Sequence, residues 1–222
     1  MALAFVQVPK LAQADVLVEL FTSQGCSACP SSDIFLGQLD EMPDVVPLSF
    51  HVEYWDYLGW KDTFANLSFS QRQIAYQASR QQKQVFTPQL IVNGRYSFSG
   101  GEFIDILASV NREKANKPIA MKAISSGSQI GLNFSKMARP RGKLDIFVAY
   151  VTPKATIEIT KGENKGKLIE YTNVVRFLNK ITSWDGKTAL YTDIPTKAAL
   201  KPIVIVQDKN LGAVLFAKEL TK

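Results

Sequence analysis

Hydrophobic positions follow two regimes along this chain: short apolar runs alternate with helical spacing up to residue 117, and β alternation dominates beyond it. Residues 16–21 are an apolar run broken only by Glu19 and read as a buried strand. Phe35, Leu39 and Met42 recur at helical spacing and predict a helix over 30–42. Residues 45–51 read as a second strand, with Pro47 pointing to an edge position or an irregular start. A Gln-rich helix is expected over 68–83, capped by Ser68 or Ser70. Residues 89–92 form a third strand, and Asn93-Gly94 is the two-residue signal of a tight hairpin into 96–98. Gly100-Gly101 then turns the chain into a helix over 102–113, with Phe103, Ile106, Leu107 and Val110 on one face.

Lys117-Pro118 marks a boundary. Beyond it, strands are expected at 119–123, 129–134, 144–151, 156–160, 203–207 and 213–216, with turns at 162–166 and 184–186. The fold class is therefore α/β, with a second part that is mainly antiparallel β, a sandwich or sheet packed on the first. The chain divides into 1–14, 15–117 and 118–222. The first segment is a signal-peptide remnant or an N-terminal strand. Ala12-Gln13-Ala14 suits a signal-peptidase cut, while Pro9 and Lys10 interrupt a short apolar run that no positive residue precedes.

Of 222 residues, 46% are hydrophobic, enough for a sizeable core, and no apolar run is long enough to span a membrane. Residues 1–117 carry 9 Lys and Arg against 12 Asp and Glu, and residues 118–222 carry 17 against 8. The lysines of the basic half are scattered, so they read as a solvated surface and no nucleic-acid partner is expected. The sequence leaves the oligomeric state open.

The only two cysteines stand at Cys26-Ser27-Ala28-Cys29, between the first strand and the first helix. A thiol at a helix N-terminus meets the positive end of the backbone dipole, which stabilises the thiolate. Two intervening residues leave the sulfurs close enough to form a disulfide. CxxC also opens zinc sites, but zinc needs further ligands, and the chain has no second CxxC and one histidine, His51.

The order strand–CxxC–helix–strand–helix–strand–strand–helix resembles the thioredoxin/glutaredoxin superfamily over about residues 15–115. More closely, residues 19–30, His51 to Asp62, Phe86-Thr87-Pro88-Gln89, Val92-Asn93-Gly94, residues 162–166 and Asn173-Val174-Val175-Arg176 resemble an uncharacterised, secreted thioredoxin-like family of bacteria and plants, a domain of unknown function. The resemblance implies a thioredoxin-like domain with a mixed four-stranded sheet and flanking helices, a periplasmic or secreted location, and a cis Thr87-Pro88 bond whose loop lies against the cysteines. Such a bond presents backbone groups to an extended peptide. Gly25 replaces the usual aromatic before the first Cys, and Ser27-Ala28 replaces Gly-Pro.

The resemblance sets Glu19 near the buried acid of thioredoxins, where it would take the proton of Cys29; an edge or surface glutamate is the other reading. Gly100-Gly101-Glu102 resembles the glutaredoxin turn that holds a glutathione carboxylate, though a plain helix start suits it better. Tyr54, Trp55, Tyr57 and Trp60, following His51, read either as a packed insertion sealing the seam between the halves or as a substrate-facing cap in which His51 or Glu53 tunes the thiols.

The expected activity is thiol–disulfide exchange on an exported protein or a low-molecular-weight thiol or disulfide, with no cofactor and no resident metal. Cys26, nearer the helix start and more exposed, attacks; Cys29 resolves; Glu19 shuttles the proton; Thr87, Pro88 and Trp55 bind substrate. One alternative is a metallochaperone holding Cu(I) through Cys26, Cys29 and His51. The other is a non-enzymatic thioredoxin-fold adaptor with a static disulfide.

Overall fold

A computed structural model describes residues 14–115, 118–140 and 142–220. Most of the segment expected as a remnant or first strand, and Lys117 at the expected boundary, lie outside these residues. The elements run β1 (Val16–Thr22), α1 (Pro30–Asp40), β2 (Val45–His51), α2 (Leu67–Ser79), β3 (Gln89–Val92), β4 (Tyr96–Ser99), α3 (Phe103–Glu113), β5 (Met121–Ser126), β6 (Gln129–Phe134), β7 (Leu144–Glu158), β8 (Leu168–Trp184), β9 (Leu190–Pro195), β10 (Lys201–Asp208) and β11 (Val214–Glu219). Among the described residues the strands make a mixed α/β architecture with two sheets. One has eight strands in the order β11-β10-β7-β8-β2-β1-β3-β4; the other is antiparallel, in the order β5-β6-β9.

Parallel β1 and β2 stay in register from Val16↔Val45 to Thr22↔His51, while β3 runs antiparallel to β1 and β4 antiparallel to β3. The β3–β4 turn has positive φ at both Asn93 (45°) and Gly94 (61°), the conformation that the Asn-Gly pair selects. A Cβ at Gly94 would lie 2.3 Å from the Gly212 carbonyl oxygen, so only glycine fits there.

Alternation along β1 and β2 splits their side chains between two cores. Val16, Val18 and Leu20 pack with Phe35, Leu36 and Leu39 of α1 and Ile106 and Val110 of α3. On the other face Leu17, Phe21, Leu48 and Phe50 pack with Phe69 and Tyr76 of α2. That second cluster continues into Ile203, Ile205 and Ala217, because β7, β8, β10 and β11 extend the same sheet across the expected boundary. The opposite face of those strands, with Ile146, Val148, Val204 and Phe216, is covered by Met121, Leu132, Phe134 and Ile194 of the three-stranded sheet. The second half is thus antiparallel β as expected, but its strands are shared between the large sheet and its cover.

Several local expectations need correction. Pro47 lies in a strand between β1 and β8; it is tolerated because β2 pairs with β8 only at Ser49↔Val174, leaving no ladder partner on that side at Pro47. The N-cap of α2 is Asn66, whose side chain accepts the Ser68 N–H at 2.9 Å, and the helix ends at Ser79. The strands expected at 144–151 and 156–160 are one continuous β7, paired along its length with β8, which the pattern missed along with β9.

Glu19 and Arg72 form a buried ion pair (Nε to Oε1 2.7 Å) between β1 and α2. Arg72 also donates to Tyr76 Oη and to Gln207 Oε1 of β10, each at 3.1 Å, and Tyr76 donates to Glu19. Removing one member of such a pair strands the other charge. Glu19→Ala is expected to cost about 3–5 kcal/mol. Urea unfolding followed by circular dichroism measures it, and a loss below ~1 kcal/mol, the worth of an exposed pair, contradicts this account.

Candidate functional site

Beyond Thr22 the chain turns through residues 23–29 into α1. The Cys26 N–H donates to Ser23 O at 3.1 Å, and the Cys29 N–H donates to Cys26 O at 3.2 Å. Cys26 and Cys29 are joined in a disulfide with their Cα atoms 5.4 Å apart. Cys26 is 4% exposed and Cys29 is fully buried, so solvent reaches the first cysteine only. The expectation that Cys26 lies nearer the helix start is corrected. Cys29 is the N-cap and Pro30 the first helical residue, where proline's missing N–H and fixed φ cost nothing. The helix N-terminus therefore acts most directly on Cys29.

Thr87-Pro88 is cis, and the Thr87 carbonyl oxygen lies 3.8 Å from Cys26 Sγ. Pro88 rests against Gly100, where a Cβ would come within 2.3 Å of its Cγ; Gly100 O accepts Ser32 Oγ of α1 at 3.0 Å. Trp55 Nε1 donates to Thr87 Oγ1 at 2.7 Å, and Trp55 also explains Gly25, since a Cβ there would stand 3.0 Å from the Trp55 carbonyl oxygen. The structure thus brings Cys26, Cys29, Thr87, Pro88 and Trp55 together.

The rest of the aromatic run behaves differently. Trp60 Nε1 donates to Gln24 Oε1 at 2.8 Å and packs with Ile159, Ile169 and Tyr171 of the second half, whereas Tyr57 is 75% exposed beside Trp55. Ser70 donates to Glu53. Gln73 Nε2 of α2 donates to Phe86 O, holding the segment before Thr87.

Sequence reasoning missed the contribution of the second half. Asn164, in the turn between β7 and β8, is buried and donates through Nδ2 to the carbonyls of Gln24 and Cys26, both at 2.9 Å. It fixes the cysteine loop from above. The Gly162–Gly166 turn was legible; its landing place on residues 24–26 was not.

Behind Cys29, on the α1 side of β1 and β2, lies a group of buried polar side chains. His51 Nδ1 donates to Asp62 Oδ2 at 2.8 Å, and that oxygen also accepts the Gln24 N–H at 2.7 Å. His51 Nε2 and the hydroxyls of Ser49 and Tyr171 have no hydrogen-bond partner among the described residues, and the Thr22 hydroxyl and the Asp33 carboxyl approach each other without forming a full hydrogen bond. Asp33 sits one helical turn beyond Cys29, its N–H donating to Cys29 O at 3.1 Å. Burial pushes its carboxyl up to about 7; the nearby His51 and Thr22 pull it down and Asp62 adds to the rise. Burial likewise raises Tyr171, with Asp33 and Asp62 adding to it. Asp33 belongs to the inward stripe of α1 with Ser32, Phe35, Leu36 and Leu39, and an acid on that stripe was the available signal.

Glu19 is elsewhere. It alternates with Leu17 and Phe21 on the α2 face of β1, and its partners are Arg72 and Tyr76. Glu102 caps its own turn by accepting the Ser99 N–H. Among the described residues no three of His, Cys, Asp and Glu are grouped to hold a metal, and no helix is long and apolar enough to cross a membrane. A cleft of about 300 Å³ opens beside the cysteine helix, lined by Pro30, Ile34, Leu168 and Ile169 and edged by Lys167 and Glu170.

The chain belongs to the family described as Protein of unknown function (DUF1223), which it matches over residues 17–210. No curated protein matches it. Among solved structures, it is similar to a crystal structure of a protein from Agrobacterium tumefaciens determined by a structural genomics consortium. That comparison gives a TM-score of 0.81 at 28% identity and covers 94% of this chain and 95% of that one. It is also similar in fold to HBP35 of Porphyromonas gingivalis, with a TM-score of 0.62 at 13% identity, covering 94% of this chain and 75% of that one.

The raised Asp33 carboxyl has a stability consequence. Between its ordinary 3.8 and about 7 the folded chain holds a proton that the unfolded chain has lost. Stability therefore falls as pH rises through this window and is level above it. Asp33→Asn is expected to flatten that decline and to raise stability at pH 8 by up to ~4 kcal/mol, at about 1.4 kcal/mol per pKa unit. Thermal melts across the window check it; an unchanged slope contradicts it.

Proposed function

We propose that this protein is a thiol–disulfide oxidoreductase whose residues 15–117 form a thioredoxin-like redox domain, completed by a β-rich part at 118–222. It acts on exported proteins in the periplasm or outside the cell. The observation that carries the reading is the Cys26–Cys29 disulfide at a strand–helix junction, with the Thr87 carbonyl 3.8 Å from Cys26 Sγ. An extended peptide laid along residues 86–88 would bring its own sulfur to Cys26, the only one of the pair that solvent touches. The apolar cleft beside Pro30 and Ile34 offers room for a neighbouring side chain of that peptide.

The chemistry is exchange at sulfur. A substrate thiolate attacks Cys26 Sγ, the Cys26–Cys29 bond breaks, and Cys29 leaves as a thiolate that takes up a proton. A second substrate thiolate then displaces Cys26, leaving oxidised substrate and the protein dithiol. Run backwards, the Cys26 thiolate opens a substrate disulfide, and Cys29 gives up its proton and resolves the mixed disulfide.

The near-complete burial of both sulfurs favours one competing reading, an adaptor with a static disulfide. A reduction potential well below that of the surrounding thiol pool would support it. The Cu(I) reading finds no comparable support, because His51 is committed to Asp62 and joins no cluster of ligands with the cysteines.

Cys29→Ser is expected to trap mixed disulfides through Cys26, seen as bands that disappear on reduction, whereas Cys26→Ser traps none. Wild-type protein that neither reduces nor oxidises any dithiol or disulfide protein would sink the proposal.

A further inference from the structure

Buried polar atoms without partners gather behind Cys29; among the described residues Arg80 Nε is the one that stands elsewhere. Thr22 from β1, Ser49 and His51 from β2, Asp33 from α1 and Tyr171 from β8 are all buried, and each carries a polar atom without a full hydrogen bond among the described residues, Thr22 and Asp33 standing close to each other. The Glu19–Arg72–Tyr76–Gln207 network on the opposite face of the sheet is paired throughout. A buried polar group left without a partner costs about 1–3 kcal/mol, so a chain that collects several of them in one place has a use for them.

We infer that this polar cluster is the proton-exchange site of the dithiol: Asp33 takes the proton that leaves Cys29 when the intramolecular disulfide closes, and returns it when that bond opens. The inference rests on the oxidoreductase reading and deepens it.

Geometry places Asp33 for the task. Cys29 has helical backbone angles at the N-cap, so residues 29 and 33 stand one turn apart on the same side of α1. Cys29 is fully buried and its proton has no direct route to solvent. Side chains four residues apart on a helix are neighbours, about 5–6 Å between Cβ atoms, a span that direct contact or a single bridging group covers for proton transfer. Closure then balances: the Cys29 S–H bond breaks and its proton passes to the Asp33 carboxylate. The Cys29 sulfur lone pair forms the bond to Cys26 Sγ, and the outgoing sulfur leaves with the electron pair of the bond it loses.

The groups facing Asp33 set its proton affinity. His51 on β2 lowers it, as does Thr22 on β1; Asp62, which holds His51, raises it; Tyr171 of β8 packs edge-on against the His51 ring, centroids 4.8 Å apart. Lys154 of β7 with Glu170 and Thr172 of β8, and Glu41 after α1, line the outer groove that Asp33 also borders, and Lys154 is tied to Glu170 and Thr172. A carboxyl poised at about 7 changes charge within the physiological range, which suits a group that must both accept and return a proton.

Stopped-flow mixing of the reduced full-length chain with dithiobis-nitrobenzoate tests this. Thiolate release occurs first as Cys26 is modified and again, independently of reagent concentration, as Cys29 closes the disulfide. For wild type the second phase is expected to accelerate through a midpoint near pH 7. Asp33→Asn should slow it about 10²-fold and abolish that midpoint, with the first phase unchanged. Thr22→Val, which keeps side-chain shape, should move the midpoint to higher pH. If Asp33→Asn does not fold, the Thr22→Val profile decides alone. A wild-type second phase whose pH profile neither substitution alters overturns the role of Asp33 and spares the oxidoreductase reading; no second phase in wild type overturns both.

Discussion

Arg72 is a guanidinium enclosed between a helix and a sheet, and much of the architecture follows from pairing it. Burying a charge is tolerable only with close, well-directed partners. Here they come from Glu19 on β1, Tyr76 on α2 itself and Gln207 on β10, with the rings of Phe50, Tyr76 and Phe147 within 6 Å of its charge centre. One side chain therefore fixes α2 on the sheet and ties a strand of the second half to a strand of the first. It also commits Glu19. A carboxylate locked to a guanidinium on the α2 face cannot serve the cysteines on the α1 side.

The two faces of the central sheet consequently divide the polar work. The α2 face holds a closed, fully paired network that contributes order. The α1 face carries Thr22, Ser49 and His51, which alternate with Phe21, Leu48 and Phe50 on the same two strands, and α1 adds Asp33. The period of two along a strand makes this separation possible: neighbouring residues enter different environments, one structural and one suited to proton movement. The second half completes both sides, with Gln207 on one and Tyr171 and Asn164 on the other. Asn164 donates to the carbonyl of Cys26, so the cysteine loop takes its position partly from a turn 138 residues away.

Local signals were legible where local physics decides. The Asn93-Gly94 turn, the inward face of α3 and the strand leading into CxxC depend on backbone preference and on side-chain period over a few residues. Other features depend on partners. β8 carries Glu170, Asn173, Arg176, Asn179 and Lys180 and turns through a positive φ of 46° at Asn173, so its pattern hardly announces a strand; pairing with β7 makes it one. Asn66 displaced the expected serine caps of α2 because its side chain reaches the Ser68 N–H. Asp33 went unnoticed because an acid in the first turn of a helix ordinarily faces water.

Two cysteines at a strand–helix junction, helices and strands alternating through the first half, and β structure in the second are all readable along the chain. Those are consequences of spacing, and spacing is written in the chain. Which carboxylate lies behind the cysteines depends on packing between distant elements. Glu19 and Asp33 are both acids within or beside apolar stretches, but the pleat of β1 turns the first toward Arg72 and the helical turn after Cys29 carries the second toward Thr22 and His51. The face that a side chain enters depends on what covers each side of the sheet, and those covers come from α1, α2 and strands more than a hundred residues away.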